Sequence, residues 1–146
     1  MTTIGLYHKE MLRHAATAAG SGRLEHPDGS VMLDNPLCGD RVTMDVTLKD
    51  GTVDKIGHEL HACVLCQASA SILGEKGIGH DVGDLKELMT SVTAMLKSGG
   101  VAPGPPWEDY AIFEPVIAEK NRHTCVLLPI ETLIAAIDEA SSPKDA

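Results

Sequence analysis

Aromatic residues are nearly absent: one Trp, two Tyr and one Phe make up 3% of the 146 residues. A core with so few rings must be aliphatic, and a hydrophobic content of 43% supplies enough Val, Ile, Leu, Met and Ala to build one without staples. Basic residues are also in deficit, with 12 Lys and Arg against 21 Asp and Glu and a formal net charge of −9. That balance argues against nonspecific binding to nucleic acid or to an anionic membrane, both of which need Lys/Arg patches. Long apolar runs are missing as well. None approaches the ~18 residues of a membrane span, and residues 1–20 contain no basic region followed by an apolar segment and a small-residue cleavage site. The expectation is a cytoplasmic protein with no nucleic acid and no membrane as partner. It should be a single domain over residues 1–146, with 140–146 as a frayed tail. Cysteine is sparse, at four. In a reducing compartment such thiols point to metal binding or catalysis rather than to disulfides.

The apolar pattern places these cysteines on a skeleton. An amphipathic helix is expected over Ile4 to Ala19, with Leu6, Met11 and Leu12 on its apolar side, ended by Gly20-Ser21-Gly22. Pro27-Asp28-Gly29 marks a turn with short strand candidates on either side. In "RVTMDVTLK", Val42, Met44, Val46 and Leu48 alternate with Thr43, Asp45, Thr47 and Lys49, the period-two pattern of a half-buried strand. Asp50-Gly51 is a hairpin signal, and a return strand should run from Val53 to Ala62.

After Cys63 the period changes. "VLCQASASIL" reads as a closely packed helix ended by the glycines at 74, 77 and 79. Asp84 to Glu87 reads as a capping box. The stripe Leu85, Leu88, Met89, Val92, Leu96 is that of a helix, closed by Gly99-Gly100. A Pro/Gly connector follows, then a short helix from Trp107 to Glu119. A last helix is expected over Cys125 to Glu139, with Pro129 tolerable only in its first turn. Strands before helices imply an α+β fold, a small antiparallel sheet with helices packed on one face.

On this skeleton Cys38 falls in the turn-rich loop "NPLCGD", Cys63 ends a strand and begins a helix, and Cys125 opens the last helix. Helix N-termini favour thiolates. Asp40 adds an oxygen donor. Three thiolates and a carboxylate gathered together repel one another, and a bound cation removes that repulsion. Cys66 lies one helical turn after Cys63 and serves either as core filler or as a ligand or spare thiol. "CVLC" read alone is the CxxC of thiol redox chemistry, but the strands before it form a meander rather than the βαβ context of that motif. His58, His61 and His123 lie near the ligand segments, and only His123 is kept as a candidate. Ser69 and Ser71 are better explained by helix packing than as nucleophiles.

Three segments, "NPLCGDRVTMDVTL", "CVLCQASASIL" and "RHTCVLLPIETLIAAI", resemble the NifU/IscU-type iron–sulfur cluster assembly scaffolds in order, spacing and flanks. The resemblance spans roughly residues 4 to 140. The long stretch between Cys63 and Cys125 is similar to the SufU branch. Thr124 stands where IscU-type proteins carry a histidine, and "IAEKNRHTC" replaces their chaperone-binding segment. The resemblance implies a three-stranded antiparallel sheet with packed helices. It also implies a site of Cys38, Asp40, Cys63 and Cys125 holding a transient [2Fe-2S] cluster or Zn2+. Sulfur would come from a cysteine desulfurase of the SufS/IscS type, with Cys38 or Cys125 as acceptor, and would pass to downstream assembly or apo-acceptor proteins. The role is that of scaffold or zinc-dependent sulfur carrier rather than conventional enzyme. Two other readings remain: a structural zinc-binding interaction module, and a thiol redox protein using Cys63 and Cys66.

Overall fold

The computed structural model describes residues 3–36 and 39–141, without the side chains of 3–7, Leu6 among them. Cys38 and the tail beyond Ser141 therefore lie outside the described residues. Helix α1 (Thr3–Thr17) leads into a three-stranded antiparallel sheet, β1 (Gly29–Asn35), β2 (Asp40–Lys49) and β3 (Thr52–His61), in the order β1-β2-β3. Helices α2 (Val64–Lys76), α3 (Val82–Ser98) and α4 (His123–Ser141) follow, with a 3-10 segment at Glu108–Ala118 between the last two. The expected α+β architecture is present.

The hairpin between β2 and β3 turns on Asp50 (φ 54°) and Gly51 (φ 81°). Two consecutive residues with positive φ make the twist of the turn match that of the strands, and Asp-Gly is the pair that tolerates it. Val42, Met44 and Val46 are fully buried on the inward side of β2. Helix α4 packs against β1 and β2, and α2 and α3 pack on α4. Val126, Ile130, Leu133, Ala136 and Ile137 of α4 belong to the same buried cluster as the strand residues. Leu12, assigned to the apolar side of α1, is instead 48% exposed, while Met11 is buried.

Four local expectations are corrected. Before the Pro27 turn there is no strand, only isolated bridges from Ser21 and Gly22 to His58. These cover the outer edge of β3, which would otherwise be an unpaired template for another chain. Asp45, on the polar side of the alternation, has no exposed surface. It is sheltered by the 20–24 segment and accepts hydrogen bonds from Arg23 Nε (2.7 Å), Ser30 Oγ (2.6 Å) and the Leu24 N–H (3.0 Å). Desolvation pushes its pKa up, but those donors outweigh it and the net shift is downward. The capping box starts one turn earlier: Asp81 is the N-cap, its carboxylate accepting from the Asp84 N–H (2.9 Å), and Asp84 reciprocates. The short helix expected after the connector is present at 108–118, as a 3-10 segment with Pro115 inside it. Because α4 begins at His123, Pro129 lies in its second turn, buried. A proline there supplies no N–H to the carbonyl of Cys125, four residues earlier.

Candidate metal centre

The site forms where the starts of β2, α2 and α4 meet. β1 and β2 are paired in register from Gly29↔Val46 to Asn35↔Asp40, so Asp40 opens β2 directly opposite the last residue of β1. β3 ends beside it, with His61 opposite Arg41, and two residues later Cys63 becomes the N-cap of α2. Cys125 stands in the first turn of α4.

Ligand atoms of Asp40, Cys63 and Cys125 all lie within 4.8 Å of one another. Among the described residues this is the one group of three or more His, Cys, Asp or Glu close enough to share an ion. Asp40 and Cys125 are buried and Cys63 is half-buried. Cys63 uses no side-chain cap of its own. Its N–H donates to Asp40 Oδ1 (3.0 Å), and its thiol lies 3.5 Å from Oδ2. The carboxylate thus satisfies a backbone donor at the start of α2 and also borders the thiol. Two soft sulfurs and a hard oxygen, with one side open to solvent at Cys63, are a donor set that zinc or an iron–sulfur cluster can take.

Two features around the group were not read from the sequence. Asn35, 6% exposed, donates from Nδ2 to Thr124 Oγ1 at 2.8 Å. This ties the end of β1 to the residue preceding Cys125. Asn121 and Arg122 line a cleft with Cys63 and Cys125. The spacing of Arg122 to Cys125 was visible in the RxxC segment. The Asn35–Thr124 contact has no signal in a single chain, because its partners are far apart in sequence.

The other candidates fall away from the cluster. His123 is buried and its Nε2 donates to the carbonyls of Val116 (3.0 Å) and Ile117 (3.1 Å), pinning the 3-10 segment to the start of α4. His58 is buried, bonded through Nε2 to the Ala19 carbonyl (2.8 Å), and burial lowers its pKa. His61 is exposed. Cys66 has no exposed surface and belongs to the core, so the CxxC does not present two accessible thiols. Ser69 is buried, donating to the Val126 carbonyl (2.8 Å) and touching the Tyr110 hydroxyl (3.0 Å), and Ser71 accepts the Ala19 N–H (3.0 Å). Both serines brace helices, as expected, and the first holds the residue next to Cys125.

Residues 6–106 match the NifU-like N terminal domain. The chain belongs to that family. The matched stretch includes Cys38, Asp40 and Cys63, while Cys125 follows it. This NifU-like chain is 27% identical over 140 residues to the iron-sulfur cluster assembly scaffold protein IscU of Thermotoga maritima, covering 94% of the chain and 96% of the relative. It superposes with a TM-score of 0.87 on the crystal structure of a nitrogen-fixing NifU-like protein (N-terminal) from Brucella abortus, at 34% identity, over 92% of this chain and 93% of that one. A protein of Fervidobacterium islandicum AW-1, assigned as an iron-sulfur cluster assembly scaffold for the SUF system, gives a TM-score of 0.81 at 24% identity, over 93% and 99% of the two chains. At that identity the last likeness speaks to the fold alone. No helix among the described residues is long and apolar enough to cross a membrane.

Proposed function

We propose that this chain is an iron–sulfur cluster assembly protein that accepts sulfur from a cysteine desulfurase and holds a transient [2Fe-2S] cluster, or zinc in its resting form, as cargo. The observation that carries this reading is the convergence of Asp40, Cys63 and Cys125, from three separate elements, within 4.8 Å. Family membership and the scaffold relatives support it. Cys38, two residues before Asp40, is the fourth donor in the proposal. All four residues belong to one functional domain spanning the chain.

The residues divide the work by chemistry. Thiolates bind the soft metal tightly, whereas a carboxylate oxygen is the weaker ligand for it and leaves first. Asp40 is therefore the gate through which cargo exchanges, while its bond to the Cys63 N–H keeps it in place. Sulfur arrives on Cys38 or Cys125. The acceptor thiolate attacks the outer sulfur of the donor's persulfide, the donor's sulfur–sulfur bond breaks, and the donor departs as a thiolate. Delivery to an apo-acceptor protein follows, with neither nucleic acid nor membrane as a partner.

The test is metal and acid-labile sulfide analysis of anaerobically purified protein, with and without a desulfurase and cysteine. About one zinc or one labile cluster per chain is expected from the donor set. A Cys38→Ala protein that kept both full metal content and full sulfur acceptance would overturn the four-ligand reading. Slow metal exchange with no persulfide formed would instead indicate a structural zinc module.

A further inference from the structure

A cleft of about 710 Å³ lies between the end of α3 and the start of α4. Its volume falls in the range of ~300–1,000 Å³ typical of ligand pockets. Leu96, Ile117 and Leu127 form its apolar surface, and Lys97 and Lys120 stand exposed among its lining residues. No Asp or Glu lines it. In a protein with a net charge of −9 this is a local reversal of sign. Neither lysine takes part in the ion pairs formed among the described residues. Val101, which follows the glycine end of α3, is 91% exposed. Thr124 also lines the cleft. It is the residue held by Asn35 and adjacent to Cys125.

The geometry points to this cleft as the docking site for an acidic segment of a protein partner that inserts an apolar side chain between α3 and α4 while its carboxylates meet Lys97 and Lys120. The inference rests on the assembly reading, since it names where a protein that works on the neighbouring thiols takes hold. The apolar surface selects a side chain rather than a bare anion. The two lysines select acidic flanks and repel basic ones. Through Thr124 the docked segment would touch the turn that carries Cys125, so occupancy and the state of the metal centre are physically adjacent.

The experiment follows backbone amide shifts of the zinc-loaded protein by NMR during titration with a short synthetic peptide of alternating glutamate and leucine. A lysine–leucine peptide and a leucine-free glutamate peptide are the controls. The expected result is saturable shifts confined to residues 96–99 and 117–127 with the first peptide alone. Affinity should fall with salt and weaken roughly tenfold in Lys97→Glu/Lys120→Glu, the effect of replacing two rim attractions by repulsions. Zinc content and thermal unfolding of that double variant should match the parent, since both side chains are exposed. Equal binding of the lysine peptide, shifts elsewhere, or an unchanged double variant would overturn the proposal. Equal binding of the leucine-free peptide would do so too, reducing the cleft to a simple anion site. Loss of zinc and sulfur acceptance at Cys38, Asp40, Cys63 and Cys125 would defeat the assembly reading while leaving the peptide titration to decide the cleft separately.

Discussion

The proposed function gives Asp40 two jobs, and two substitutions separate them. Its Oδ1 accepts the Cys63 N–H at 3.0 Å, capping α2, and Oδ2 faces the Cys63 thiol at 3.5 Å. Asp40→Asn keeps a carbonyl oxygen for the N–H and removes the charge. Asp40→Ala removes both. Losing a cap of this kind costs ~0.5–2 kcal/mol, which lowers the unfolding midpoint of a chain this size by roughly 1–8 °C. The metal-free alanine protein should therefore melt lower by that amount, and the asparagine protein close to the parent. Metal affinity should divide differently. Both variants lose the anionic oxygen, and the loss should be at least the ~10–100-fold known for residues that merely support metal ligands. Zinc affinity is read by competition with a chromophoric chelator, and stability by calorimetry of the metal-free proteins. If both variants bound zinc within about twofold of the parent while Cys63→Ser abolished binding, Asp40 would be a helix cap and nothing more.

Acid should weaken the fold in two steps. His58 has its pKa lowered by burial from 6.5 and finds no hydrogen-bond partner for Nδ1 among the described residues, so below about pH 6.5 the unfolded chain takes up the proton first and stability falls. Asp45, also shifted down, contributes above its ordinary value of 3.8 and loses that contribution as the pH falls through its folded pKa. Urea midpoints should decline between about pH 7.5 and 5, and His58→Gln should flatten that decline; a pH-independent midpoint in the parent would contradict the assignment. Cys66→Ser should keep full metal content and sulfur acceptance but lose ~1 kcal/mol in urea unfolding, because it replaces a fully buried, weakly polar sulfur by a smaller and more strongly hydrated hydroxyl. Gly74→Ala should destabilise despite alanine's better helix propensity, since a Cβ there runs into the backbone carbonyl of Ala19. The cost of such overpacking is ~1–3 kcal/mol, and a raised melting point would show that the contact between α2 and the turn after α1 can yield.

Much of the skeleton could be read because its signals are local. The alternation of Val42, Met44 and Val46, the Asp50-Gly51 turn and the Gly99 stop each need only neighbours along the chain. Gly99 does take the left-handed conformation at the end of α3. The errors share a cause. Asp45 is covered by the segment that carries Leu24. For Cys66 the sequence left core filler and ligand both open, and it fills the core because α2 packs on α1 and α4. The start of α3 was misplaced by one turn because Asp81 and Asp84 are both plausible caps until the backbone conformation distinguishes them.

For the site, the types and order of the donors were present in the chain. Asp40 is near Cys38 in sequence, and cysteines mark the starts of two helices. Their meeting was not. Bringing Asp40, Cys63 and Cys125 within 4.8 Å requires β2 to pair with β1 and β3 in this register, and α4 to lie across that sheet with its N-terminus at the loop end. One strand slip would turn every side chain of β2 to the other face. Local chemistry thus determined which atoms are available as ligands. Only long-range packing, which fixes distances between residues remote in sequence, decided which of them share a space.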